Sequence, residues 1–199
     1  MKTLALALLL VAPAAAAQDH WQALMRGNAR YVAGRLVYNR LRAQRDATRS
    51  AQHPPVTVIS CADSRVPPEL MFDRSVGDLF VIRVAGNVAD PFNLASVEYA
   101  VLNKWTRLIV VMGHESCGAV KAALDGHGGT PALDALVAKI DRNLDGKKPP
   151  VKEAVELNAK ATARQLVDES DVIRRAVEAR EVKIVAAYYS FDGRVRLVP

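Results

Sequence analysis

Cysteine is scarce in this 199-residue chain, which contains only Cys61 and Cys117. That excludes a scaffold stapled by several bridges and leaves room for one internal disulfide at most. Histidine numbers four, so imidazole chemistry has few places to reside. Aromatic residues make up 6%, and no stripe of basic side chains interleaved with aromatics occurs. The densest basic pairs, Lys147-Lys148 and Arg174-Arg175, have proline or acidic neighbours. The net charge of +6 therefore reads as a solvated surface and not as a nucleic-acid face. Long apolar runs are missing as well, since Leu4 to Val11 is far shorter than the ~20 residues of a membrane span. What is present is an ordinary balance, 50% hydrophobic and 24% charged, in a length suited to one domain.

The first residues read as a leader. Lys2 gives a positive start, Leu4 to Val11 a short apolar stretch, and Ala15-Ala16-Ala17 a small-residue cleavage site. The expectation is a signal peptide over residues 1–17, a single domain over 18–199, and export, most simply to a bacterial periplasm. Two cysteines in an oxidising compartment would by count alone favour a disulfide.

Trp21, Leu24, Met25, Asn28 and Val32 recur at helical spacing, predicting a helix from an Asp19 cap to about Ala33. A polar connector, Arg35 to His53, follows. Short β-branched or apolar runs predict strands at Val56–Ser60, Leu79–Val84, Leu108–Met112 and Val182–Ala187. Asp192-Gly193 turns into a final edge strand, Arg194 to Val198. Periodic apolar positions place helices between these strands, around Leu94–Val101, Leu133–Leu144, Val151–Leu166 and Val172–Val177. The predicted fold is α/β, a mostly parallel central sheet of four strands plus an edge strand, flanked by helices, with an N-terminal helical arm.

Ligands of open α/β sheets bind beyond the carboxyl ends of the strands. Cys61-Ala62-Asp63-Ser64-Arg65 directly follows the first strand, and Gly113-His114-Glu115-Ser116-Cys117-Gly118 follows the third. If those strands are parallel neighbours, Cys61, His114 and Cys117 converge. Two thiolates and an imidazole make a zinc site with its fourth position open for water or substrate. Asp63 could itself fill that position and close the site. Cys117 would open a helix reaching about Leu124, whose dipole favours a thiolate. A Cys61–Cys117 disulfide remains the alternative, and it leaves His114, Asp63 and Arg65 without a role.

These segments make the chain resemble the β-carbonic anhydrases. CADSRVPPELMFD, GDLFVIRVAGNV, SVEYAV and LIVVMGHESCGAV carry the resemblance, which runs from GNARYVAGR to the last strand. It implies zinc held by Cys61, His114 and Cys117, and Asp63 with Arg65 as the catalytic dyad. It implies an Asp63 that pairs with Arg65 in open sites and swings onto the metal in closed ones. It also implies substrate contacts from Gln52, Phe80 and Tyr99, in a pocket built at the interface of a homodimer or tetramer. The activity implied is reversible hydration of carbon dioxide to bicarbonate by zinc-activated hydroxide. Hydrolysis of carbonyl sulfide or carbon disulfide on the same scaffold, or an inactive zinc-binding module, are the alternatives. Tyr188-Tyr189-Ser190-Phe191 departs from the family in being more aromatic, and His127 is a candidate proton shuttle in a Gly-rich loop.

Overall fold

The computed structural model describes residues 13–37, 41–126 and 128–199. Most of the expected leader, residues 1–17, and the shuttle candidate His127 therefore lie outside the described residues. Five strands form one sheet: β1 (Val56–Ser60), β2 (Leu79–Arg83), β3 (Leu108–His114), β4 (Lys183–Tyr189) and β5 (Val195–Leu197). Their order is β2-β1-β3-β4-β5, with all pairings parallel except the last. The fold class is the expected one.

The helices are α1 (Pro13–Val32), α2 (Leu41–Ala47), α3 (Pro68–Met71), α4 (Pro91–Leu102), α5 (Gly118–Asp125), α6 (Pro131–Asn143), α7 (Val151–Asp168) and α8 (Asp171–Glu178). They cover both faces of the sheet, and strand alternation sorts the core accordingly. Val56 and Val58 of β1 with Leu108, Val110 and Met112 of β3 pack against Trp21 and Leu24 of α1 and against Met71 and Phe72. Ile59, Ile109 and Val111 point the other way, onto Val97 and Val101 of α4, Ala159 and Leu166 of α7, and Ile173 of α8. Each fully buried side chain of this size contributes about 1.5–3 kcal/mol of transfer free energy. The N-terminal helix is thus a layer on the chain's own sheet and not only an arm.

Several boundaries differ from the sequence reading. Asp19 does not cap α1 but sits inside it, because the alanines from Ala14 to Ala17 are the best helix formers and extend the helix upstream. The polar connector contains α2, which is too short for its periodicity to register and has no buried residue. Strand β3 runs on to His114, since Gly113 and His114 pair with Tyr188 and Tyr189 of β4.

Helix α1 is pinned at two points. Asn28 donates to the carbonyls of Met71 (3.1 Å) and Gly193 (2.7 Å) and accepts from the Val195 amide (3.0 Å). Immediately before it, Gly27 lies so close to the Phe72 carbonyl that a Cβ there would sit 1.8 Å from its oxygen. The obstacle is backbone at the end of α3, so relief requires moving α1 away from it. Gly27→Ala is expected to destabilise the fold by about 1–3 kcal/mol or more. Urea unfolding should show a lower midpoint with an unchanged slope; an unchanged midpoint would contradict the packing described.

Candidate metal centre

Strands β1 and β3 are parallel neighbours, with Ser60 opposite Met112, so their carboxyl ends lie side by side. Cys61 follows β1, His114 ends β3, and Cys117 occupies the N-cap position of α5. The ligand atoms of the three residues all lie within 4.8 Å of one another, and all three side chains are buried. The two sulfurs are 4.0 Å apart and both cysteines are free, so the disulfide alternative is not what the fold adopts. A bridged pair would stand ~2.05 Å apart.

The imidazole of His114 is oriented for coordination. Its Nδ1 lies 2.9 Å from the Glu115 carbonyl oxygen, which can only accept, so Nδ1 carries the hydrogen. Nε2 is then a lone pair, fully buried and without a hydrogen-bond partner among the described residues. A buried polar atom left unpaired costs free energy, and a cation between Nε2 and the two sulfurs removes that cost. The donor set of two sulfurs and one imidazole nitrogen suits zinc.

Around Cys61 the backbone donates to sulfur. The Gly86 amide lies 3.3 Å and the Asp63 amide 3.5 Å from Sγ. The Cys117 thiol and these two amides push the Cys61 thiol down against the opposing effect of burial. Cys117, as donor in that pair and as a buried group, is pushed up. Cysteine binds a metal as its thiolate, so a divalent cation held between the two sulfurs displaces the protons the thiols carry.

Asp63 lies beside this centre, its Oδ2 4.0 Å from His114 Nε2. Arg65 grips it three ways: Nε to Oδ1 at 2.9 Å, a terminal nitrogen to Oδ2 at 2.7 Å, and the backbone amide to Oδ1 at 2.9 Å. The guanidinium hydrogen bonds hold the carboxyl well below the usual carboxylate range, with a smaller opposing effect from burial. Arg83 ties the same loop from below, donating to the carbonyls of Cys61 (3.1 Å) and Asp63 (2.6 Å).

The sequence reading missed Phe191 as part of this centre. The Arg65 guanidinium lies over its ring at 4.1 Å, and the same ring stands 5.9 Å from His114. The Phe191 amide donates to the Glu115 carboxylate (2.8 Å), fixing the turn between β4 and β5 to the end of β3. An exposed cation–π contact of this kind contributes about 0.5–1 kcal/mol, enough to bias the Arg65 rotamer. The aromatic departure noted at Tyr188–Phe191 was the available signal.

Gln52, Phe80 and Tyr99 do not join this centre within one chain. Phe80 is in register with Thr57, four positions before Cys61, or roughly 13 Å away along the strand. Its ring meets Tyr99 (6.4 Å) and Trp105 (6.3 Å), and Tyr99 meets Trp105 edge-on at 5.2 Å. Gln52 and Tyr99 line one side groove of about 640 Å³ with His53, Asn103 and Trp105.

Residues 56–195 match the family described as carbonic anhydrase. A carbonic anhydrase of Mycolicibacterium smegmatis is 40% identical over 187 residues, covering 89% of this chain and 91% of that protein. The structure of a Coccomyxa β-carbonic anhydrase in complex with acetazolamide superposes with a TM-score of 0.72 at 26% identity, covering 79% of this chain and 77% of that one. One of two tetrameric β-carbonic anhydrases from Sordaria macrospora does so with a TM-score of 0.70 at 25% identity, covering 91% and 97%. With its Cys61–His114–Cys117 centre at the strand ends, the chain belongs to the β-class of carbonic anhydrases, which are zinc enzymes.

Proposed function

We propose that the chain hydrates carbon dioxide reversibly to bicarbonate and a proton, with zinc held by Cys61, His114 and Cys117, and with Asp63 and Arg65 as the catalytic pair. The observation that carries this reading is the three-ligand cluster with an ionised, doubly gripped carboxylate beside it. A structural zinc site needs ligands alone, whereas this one has an acceptor placed next to the metal position.

Zinc in such a set supplies Lewis acidity, bringing the acidity of water toward neutral pH. Two thiolates and a neutral imidazole balance the charge of the ion, so the set acidifies water less than three histidines would. Arg65 supplies a positive charge at the rim and keeps Asp63 ionised and turned to the guanidinium. Asp63 in that state is an acceptor only. Its free lone pairs hold the proton of the attacking water and direct that water's oxygen at the carbon of carbon dioxide. His114 keeps its orientation through Nδ1 and Glu115, and Phe191 limits where Arg65 can move.

Assay of the zinc-loaded protein with carbon dioxide, carbonyl sulfide and carbon disulfide separates the readings. Fast hydration of carbon dioxide with slow turnover of the sulfur compounds supports the proposal. Hydrolysis of a sulfur compound with no hydration would overturn it, and inertness toward all three would indicate a zinc-binding module.

Two further elements complete the proposal. Phe92, Tyr99 and Leu102 are exposed apolar side chains of α4, which packs against edge strand β2, and Tyr99 also lines the Gln52 groove; they suit a homodimer or tetramer in which Gln52, Phe80 and Tyr99 line a partner's pocket. The leader suggests export, and no described helix is long and apolar enough to cross a membrane. Cleavage after Ala17 would leave Trp21 and Leu24 on the sheet. Mass spectrometry of the mature protein is expected to find Gln18 at its N-terminus; a retained Met1 would contradict export by this route.

A further inference from the structure

Helix α7 carries a polar chain through the core that ends at the metal centre. Asn158 is fully buried, and its Nδ2 donates to the Gly86 carbonyl at 2.7 Å. Its Oδ1 accepts from Asn143 Nδ2 at 2.8 Å, which also lies 3.3 Å from Thr162 Oγ1. Gln165 donates to Asn143 Oδ1 at 2.6 Å. Gly86, at the other end, donates its own amide to Cys61 Sγ.

The packing of α7 does not need this chain. Val155, Ala159 and Leu166 already bury the helix against the sheet and α5, and the chain is not fully paired, since the buried Gln165 Oε1 has no hydrogen-bond partner among the described residues. Gly86, by contrast, needs an anchor. It is left-handed (φ 69°), and a Cβ there would stand 2.6 Å from Ile140 Cδ1. Its amide and its carbonyl belong to two peptide planes that meet at its Cα, so a hydrogen bond holding the carbonyl narrows the φ and ψ open to this glycine and with them the direction of its N–H.

We propose that Asn158 is a positioning residue for the metal centre, keeping the Gly86 N–H on the Cys61 sulfur and thereby setting how strongly that thiolate holds zinc. The inference rests on the zinc reading given above. Hydrogen bonds to a charged sulfur stabilise the form that binds metal, and partners behind metal ligands typically change affinity 10–100-fold. Asn158 acts indirectly, through the two peptide planes that meet at Gly86, so the lower end of that range applies.

The test compares full-length Asn158→Ala and Thr162→Val with the unmodified chain. Zinc affinity is read by competition with a chromophoric chelator at fixed pH, and the thiolate-to-metal charge-transfer band is read after cobalt(II) substitution. Thr162→Val disturbs the outer end of the same chain but leaves the Gly86 contact in place. Asn158→Ala is expected to bind zinc about tenfold more weakly and to shift the cobalt band, with Thr162→Val unchanged in both. Wild-type affinity and band in Asn158→Ala would overturn the inference, as would equal changes in both variants. If Asn158→Ala does not fold, Asn158→Leu, which keeps the volume and carries no donor for Gly86, is read the same way. An unmodified chain that takes up no zinc overturns the metal reading and this inference with it.

Discussion

Arg65→Ala is expected to keep its zinc and to lose carbon dioxide hydration by about 10²-fold or more, the scale of a lost proton-handling group. Three hydrogen bonds from Arg65 fix the Asp63 carboxylate in one orientation, and only the backbone one survives the substitution. Without the guanidinium, Asp63 is free to rotate toward the metal position, since its Oδ2 already stands 4.0 Å from His114 Nε2. A carboxylate on the ion would displace water and add a negative charge to a set that is already balanced. Neither Cys61, His114 nor Cys117 contacts Arg65 through a hydrogen bond in the structure, so metal retention and turnover should separate. Stopped-flow hydration alongside elemental zinc analysis checks this. Near wild-type turnover at full zinc content would refute the role given to Arg65.

Cys117→Ala should abolish both zinc and turnover while leaving the fold. The centre has three protein ligands among the described residues, and loss of one exceeds the ~10–100-fold that even an outer partner costs in affinity. The side chain is small and its backbone caps α5 without a side-chain hydrogen bond, so the lost buried sulfur should cost only about 1 kcal/mol. The measurement is a pair of thermal melts, with and without added zinc, together with metal analysis. Zinc should raise the midpoint of the unmodified chain and leave that of Cys117→Ala where it was, because only a ligand bound to the native state stabilises it. A variant that still binds stoichiometric zinc would mean that another residue completes the site.

What could be read from the sequence was what local chemistry determines. Strand β1 begins where Pro54-Pro55 ends the connector and runs through a β-branched stretch, so both of its ends were legible. The convergence of Cys61 with His114 and Cys117 followed from the strand-end rule once β1 and β3 proved to be neighbours. Features set by tertiary pairing were not legible. Gly113 and His114 break the apolar pattern of β3, and only their register with Tyr188 and Tyr189 keeps them in the strand. Phe191 reaches Arg65 because the turn between β4 and β5 folds over the end of β3, held by Glu115, and no periodicity encodes that. Asn158 falls between the apolar positions that mark α7, and no periodicity encodes that its partner is a glycine carbonyl 72 positions away. Gln52, Phe80 and Tyr99 were picked out by resemblance, which named the residues without locating them; within one chain they gather around Trp105, near the start of the strands.

The central claim is that hydration of carbon dioxide depends on one zinc ion at Cys61, His114 and Cys117. It is tested most directly by stripping the metal with a chelator and adding zinc back in steps while following hydration by stopped flow. The account predicts background rates in the stripped protein and a linear return that levels off at one zinc per subunit. Full hydration without zinc, or none at one zinc per subunit, would contradict it.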